Sequence, residues 1–191
     1  MKEIRDELLN FKKSPLYKYR KENNYFPVVG EGSLIARICF VGEAPGKTEA
    51  LTARPFCGRS GKLLDEMIAS IGLQREDVYI TNVVKDRPQD NRDPLPSEIE
   101  LYAPFLDRQI DIIQPKVLVG LGRFSGVYLM DKFGIGDQVT SISTMHGKEY
   151  KARASYGEVT IVPLYHPAVA LYNGGKKAEL MADFAVLKKH V

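Results

Sequence analysis

Two groups in this chain are suited to acid–base work on an uncharged substrate. One is Glu43, in Val41-Gly42-Glu43-Ala44-Pro45-Gly46, and the other is His166, followed by Pro167. A carboxylate can orient or activate water, and an imidazole can donate to an oxygen that gains negative charge as a leaving group departs. Phe56, in Arg54-Pro55-Phe56-Cys57-Gly58-Arg59, offers a ring on which a planar base can stack. Asn82 offers a donor and an acceptor side by side. That pair matches the edge of uracil, whose N3–H donates and whose O4 accepts, while cytosine presents the reverse. Each residue also has a plainer reading: a loop cap for Glu43, a core plug for Phe56, a turn residue for Asn82 and a structural histidine for His166. What favours a site is that they fall in comparable places along the chain.

The elements that must position them are apolar runs. Ile38-Cys39-Phe40-Val41 reads as a buried strand ending at Gly42-Glu43, and Val78-Tyr79-Ile80 as one ending at Thr81-Asn82. Val117-Leu118-Val119-Gly120-Leu121 reads as a central strand, and Val159 to Leu164 delivers His166. Helical spacing predicts helices over about 3–12, 60–71, 97–114, 123–131 and 176–189, with Ser97 as a cap and Glu100 at the capping-box position. The stretch 14–33 is read as irregular and aromatic-rich, and Gly42 to Gly58 as one long loop. Two or three strands fill 139–163. Strands alternating with helices predict an α/β fold of three layers, α/β/α, around a mostly parallel sheet of four to five strands. In such sheets the ligand crevice lies beyond the carboxyl ends of the strands, where Glu43, Asn82 and His166 fall. One domain is expected over 1–191, with an N-terminal helix and irregular segment (1–34) packed on it.

Composition narrows the class. The 191 residues are 44% hydrophobic and 27% charged, as in an ordinary soluble globular protein. No apolar run approaches a membrane span and the N-terminus lacks a signal-peptide pattern, so a cytoplasmic protein is expected. A net charge of +3, from 27 basic and 24 acidic residues, permits nucleic-acid binding without demanding it. Two cysteines make neither a disulfide framework nor a four-thiolate metal site, and no metal is expected. Gly42 to Thr48 imitates a phosphate-binding P-loop but places three residues, one of them Pro45, between its glycine and Gly46-Lys47-Thr48, where four are required.

At these residues the chain resembles the uracil-DNA glycosylase superfamily, most nearly its thermophile-type family 4 enzymes. The resemblance runs from about residue 35 to the C-terminus. It rests on Gly42-Glu43-Ala44-Pro45-Gly46, Arg54-Pro55-Phe56 with Gly58-Arg59-Ser60-Gly61-Lys62-Leu63-Leu64, and Tyr79-Ile80-Thr81-Asn82-Val83-Val84-Lys85. Arg87-Pro88 with Asn91-Arg92-Asp93-Pro94, Gln109-Ile110, Pro115-Lys116, Gly120-Leu121-Gly122 and His166-Pro167 follow in order. The resemblance implies a glycosylase that removes uracil from single- or double-stranded DNA and leaves an abasic site. Phe56 would stack on the flipped base, Asn82 would read its edge, and Gly42 and Ala44 would complete the uracil pocket. His166 would stabilise the departing anion, Glu43 would act on water and on the sugar cation, and Glu49 would assist. Arg59, Lys85, Arg87, Asn91, Arg92, Pro167, Ala168, Tyr172 and Lys176 would contact DNA. The protein would act as a monomer without a cofactor. Two alternatives stay open: a glycosylase for hypoxanthine or xanthine, and a catalytically silent DNA-binding relative.

Three departures from the family pattern matter. Family 4 enzymes usually hold an iron–sulfur cluster on four cysteines, but here Ser14–Ser33 has none, the third position is Asp86 and the fourth falls near Leu101 or Tyr102. No cluster is therefore expected, and packing by Tyr17, Tyr19, Tyr25 and Phe26 is expected to hold those segments. The His-Pro-Ser motif with a following Arg reads His166-Pro167-Ala168-Val169-Ala170-Leu171-Tyr172, leaving Tyr172 or Lys176 to substitute. Ala44 and Gly46 replace an Asp and a Tyr found in better-known relatives, so Glu43 must carry more of the work on water and the exclusion of thymine is open.

Overall fold

A computed structural model describes residues 1–191. Its helices and strands follow in the order α1 (Lys2–Leu9), α2 (Leu16–Glu22), β1 (Glu31–Gly32), β2 (Ile38–Gly42), α3 (Lys47–Thr52), α4 (Arg59–Ser70), β3 (Tyr79–Asn82) and α5 (Pro96–Ile113). They continue with β4 (Val117–Leu121), α6 (Arg123–Lys132), α7 (Ile142–Met145), β5 (Tyr150–Ala154), β6 (Gly157–Leu164), α8 (Ala168–Tyr172) and α9 (Lys176–Phe184), and a 3-10 turn, Ala185–His190, ends the chain.

The strands form one sheet in the order β1-β3-β2-β4-β6-β5. The inner four are parallel, while β1 and β5 add to its edges antiparallel. The sheet thus has six strands rather than four to five. The additional member, β1, is a two-residue pairing too short to leave a period in the sequence. The four parallel strands end in line, with Gly42 paired to Asn82 and Leu121 to Leu164. From β2 the chain moves first to β3 on one side and then, through α5, to β4 on the other. That change of direction makes the β2/β4 boundary a topological switch point.

Residues on β2 alternate between the two helical layers. Ile38 and Phe40 pack with Leu64, Met67 and Ile68 of α4 and Phe184 of α9. Cys39 and Val41 pack with Leu106 and Ile110 of α5 and Leu129 of α6. Each large apolar side chain buried this way contributes on the order of 1.5–3 kcal/mol. Gly120 is required on β4 because a Cβ there would meet the Gly126 Cα at 2.7 Å, which lets α6 lie directly on the strand. A smaller third cluster joins Ile4 and Leu8 of α1, Leu16 of α2 and Tyr102 and Phe105 of α5, and it seats the N-terminal helices beside the sheet.

Several local expectations are corrected. The segment 14–33 contains α2 and β1, and the 42–58 loop contains α3, which is too short to show helical spacing. Helix α5 starts at Pro96 with Leu95 as its cap, so the third helical residue is Glu98, whose carboxylate accepts the Leu95 N–H at 2.9 Å. Pro96 sets this start because its fixed φ and missing N–H suit the first helical position. The 139–149 stretch contains α7 rather than a strand. Phe26 is 49% exposed and does not serve as packing.

Candidate active site

A cavity of about 300 Å³ opens at the carboxyl ends of the parallel strands. Its lining brings together Glu43, Ala44, Glu49, Phe56, Asn82 and His166, residues spread over more than 120 positions of sequence. Asn91, Arg92 and Ala168 of the anticipated DNA-contact set also reach it. Ser60, Pro88 and Asp93 line it as well, and sequence reasoning did not single them out. They sit on segments without periodicity, and the only signal was their place inside motif segments already quoted.

Glu43 follows β2 directly and lies against the start of α6 on the neighbouring β4. The Phe124 N–H donates to its Oε1 at 3.2 Å, an orphan amide of the helix N-terminus. This approach depends on Gly122, at φ +104°, because a Cβ there would fall 2.2 Å from that oxygen. Burial raises the Glu43 pKa above the usual carboxylate value, the Phe124 N–H opposes the shift, and the nearby Asp93 charge adds to it. The result is a carboxyl group set at the switch point, primed to hold or accept a proton.

His166 lies after β6, half-buried beside Phe56, with ring centroids 5.5 Å apart and planes 29° from parallel. The Ala168 N–H donates to its Nδ1 at 3.2 Å. A neutral ring bonded in this way carries its proton on Nε2. Desolvation lowers its pKa to about 4, with the Glu49 carboxylate pulling weakly in the opposite direction. At neutral pH this is an uncharged imidazole with one N–H to donate.

Phe56 is 5% exposed and adopts a φ of +47°, unusual for a side chain of this size. Arg75 holds that conformation by donating to the carbonyls of Pro55 and Phe56, and it is itself paired with Asp65 and Glu31. Glu49, on α3, pins the same loop from the other side. Its Oε1 accepts the Cys57 and Gly58 N–H groups at 3.0 and 2.9 Å. Its Oε2 lies 2.7 Å from the place a Cβ on Gly46 would occupy, so a carboxylate edge fills the space beside Gly46.

Asn82 ends β3, 2% exposed, and its Oδ1 is buried without a hydrogen-bond partner. Such an acceptor is costly to leave empty. Gly42 lies against it: a Cβ there would meet Asn82 Oδ1 at 2.4 Å and the Phe56 ring at 2.6 Å. Gly42 therefore lets the amide and the ring come together, although it does not itself line the cavity.

Two anticipated DNA contacts are placed elsewhere. Lys85 is fully buried, and its Nζ donates to Thr81 Oγ1, the Asn82 carbonyl and Gln109 Oε1 at 2.5–2.8 Å. Desolvation lowers its pKa to about 7. It braces the strand end that carries Asn82. Arg87 is also buried, and it donates to Asn91 Oδ1 and to the hydroxyls of Tyr19 and Tyr25. These two cations are spent on partners within the protein because their neighbours in the fold are concentrated oxygen acceptors. Lys176 is paired with Glu179 and lies over the Tyr165 ring. Arg59 and Tyr172 are exposed, Tyr172 at 86%, and Pro167 is buried at the start of α8. Arg92 is half-exposed at the rim and bridged to Glu98.

A family model described as the uracil DNA glycosylase superfamily matches residues 29–186. The type-4 uracil-DNA glycosylase of Sulfurisphaera tokodaii is 45% identical over 190 residues, covering 99% of this chain and 84% of that protein. Those of Archaeoglobus fulgidus and Saccharolobus solfataricus are 46% and 43% identical, covering 93% and 97% of this chain and 86% and 84% of their own lengths. With its sheet order, its strand-end cavity and these full-length likenesses, the chain belongs to the uracil DNA glycosylase superfamily.

Proposed function

We propose that this protein hydrolyses the N-glycosidic bond of uracil in DNA and leaves an abasic site. The observation that carries the reading is the buried, unpartnered Oδ1 of Asn82, a residue on the lining of a cavity whose other polar groups include a neutral His166 and Glu43. A base with an N–H next to a carbonyl oxygen satisfies both ends of that amide. The target nucleotide must leave the stack to reach it, at a cost of a few kcal/mol that is least for a mispaired or single-stranded base. Phe56 covers one face of the base. His166 Nε2–H donates to the uracil O2 as the C1′–N1 bond breaks and negative charge spreads over the ring. The sugar gains oxocarbenium character, which the Glu43 carboxylate stabilises. Glu43 takes the proton of the water that adds to C1′, and uracil is released as its anion. Glu49 holds the Phe56 loop and fills the space beside Gly46, where a methyl on C5 of the base would compete with a carboxylate edge.

Arg59, Asn91, Arg92, Ala168 and the exposed Tyr172 form the contact set for the DNA strand. The fold has no helix long and apolar enough to cross a membrane. The whole chain acts as one catalytic domain and as a monomer, since the cavity is complete within it. The decisive experiment uses oligonucleotides with a single uracil, single- and double-stranded, incubated and then treated with alkali. Strand scission at uracil is expected. Matched strands with thymine, cytosine, hypoxanthine or xanthine should stay intact; scission at a purine instead would replace uracil as the substrate, and retention without scission would identify a silent DNA-binding protein.

A further inference from the structure

The iron–sulfur cluster usual in family 4 does not fit this chain. Its two cysteines are Cys39, inside β2 with its thiol pushed up to about 12 by burial, and Cys57, on the Phe56 loop. No cluster of His, Cys, Asp and Glu is arranged to hold a metal ion. Where the family's third and fourth ligand positions fall, the structure has a closed polar network. Asp86 Oδ1 accepts from Arg20 at 2.9 Å, and its Oδ2 accepts from the Tyr102 hydroxyl at 2.6 Å. The Tyr102 oxygen in turn accepts from the Ser14 hydroxyl at 2.8 Å. Arg20 also donates to the carbonyls of Leu8 and Leu9, closing the end of α1, and lies over the Tyr17 ring. No polar side-chain atom here is left without a partner, in contrast to Asn82 Oδ1.

The next residue repeats the attachment. Arg87 donates to Tyr19 and Tyr25 from the N-terminal layer at 2.9 and 3.0 Å, and to Asn91 Oδ1 at 2.8 Å. Asp90 and Asn91 both hold positive φ, 55° and 54°, a left-handed turn that these two residue types accept more readily than other side chains. The loop shaped in this way supplies Pro88, Asn91, Arg92, Asp93 and Pro94 to the cavity wall. Two successive residues of β3's trailing chain are therefore tied to α2 and the segment after it just before that wall begins.

We infer that the N-terminal layer is a positioning clamp for the active-site wall, in which Arg20 on Asp86 and the phenols of Tyr19 and Tyr25 on Arg87 set the conformation of residues 88–94 without a metal cluster. Asp86 anchors the base of the loop. Arg87 transmits the hold to Asn91. Arg87 is a positioning residue rather than a phosphate ligand, and the clamp governs how the wall meets DNA. The glycosylase reading enters only through the kinetic arm of the test.

The test uses the full-length Tyr19→Phe/Tyr25→Phe variant, which removes both acceptors and keeps both rings, alongside Arg87→Met. Hydrogen exchange read by mass spectrometry should accelerate in peptides covering 88–95 and stay unchanged in those covering β2 and β4. KM for a uracil-containing strand should rise by about tenfold to a hundredfold while kcat changes little, the signature of lost binding rather than lost chemistry. Wild-type exchange in 88–95 in both variants would overturn the clamp, whatever the kinetics. Equal acceleration of exchange throughout the sheet would also overturn it, since the phenols would then be supporting the fold as a whole. If the wild-type protein leaves uracil strands intact, the glycosylase reading fails while the exchange arm still decides the clamp.

Discussion

The floor and the wall of the cavity are built on opposite principles. The floor, at the ends of β2, β3 and β6, presents groups with unmet chemistry: an acceptor without a donor on Asn82, an imidazole kept neutral, and a carboxyl group raised by burial. The wall and its support present groups already satisfied by one another, from Arg20, Asp86 and Tyr102 to Arg87 and Asn91. Unmet groups cost stability and are useful only when a substrate completes them, whereas satisfied networks hold geometry. Losses in the floor should therefore appear in chemistry, and losses in the wall in stability and binding.

Arg20→Met is the strongest way to break that contrast. It leaves the buried Asp86 carboxylate without its cation, and removing one member of such a pair costs about 3–5 kcal/mol. Urea unfolding should show that loss. A cost below about 1 kcal/mol would place this pair with the exposed ones and end the contrast. In the floor, His166→Ala should lower the single-turnover cleavage rate by about 10²–10³-fold, the usual effect of losing one donor to a developing anion. Glu43→Gln should lower it by about 10²–10⁴-fold. Both should leave the unfolding midpoint and gel-shift affinity close to wild type. A parallel loss of affinity would assign these residues to DNA binding instead.

The pH profile sharpens the same comparison. Glu43 works as a carboxylate, and burial raises its pKa above 4.5, so the rate should rise with pH through an inflection above that value. The inflection should vanish in Glu43→Gln. His166 is neutral down to about 4, so no inflection near 6.5 should accompany it. An inflection there that disappears in His166→Gln would refute the neutral donor.

Lys85 tests the support of the floor through stability alone. Its pKa falls from 10.5 in the unfolded chain to about 7 in the fold, so between those values the unfolded chain holds more protons. Stability from this group should thus increase as pH rises from about 7 toward 10, and should not change with pH below 7. Comparing urea midpoints of wild type and Lys85→Met across that range isolates its contribution; identical slopes would show that Lys85 is not desolvated.

Much of the floor was legible because the residues around it obey local rules. The apolar runs ending at Gly42, Thr81-Asn82 and Leu164 marked parallel strands, and the general placement of ligands beyond their carboxyl ends brought Glu43, Asn82 and His166 together. Phe56 was legible as a loop ring able to stack on a base and Glu49 only through the motif, while the way the two meet is shaped by Arg75 and by backbone amides that no periodicity announces. Arg87 and Lys85 were expected to contact DNA on the strength of the resemblance, and a basic residue in a loop motif is ordinarily exposed. Their burial depends on Tyr19, Tyr25 and Gln109, which the fold brings in from distant segments.

By itself, then, the sequence determined the alternation of strands and helices, the end of the sheet that carries the polar residues, and the family. These follow from hydrophobic period, turn chemistry and short ordered motifs, all local in the chain. Only the tertiary structure decided which polar groups remain free for a substrate and which are consumed in holding the site. That division is set by partners such as Arg20 and Asp86, 66 positions apart, and hydrogen bonds between such residues exist only once the core has closed and excluded water from between them.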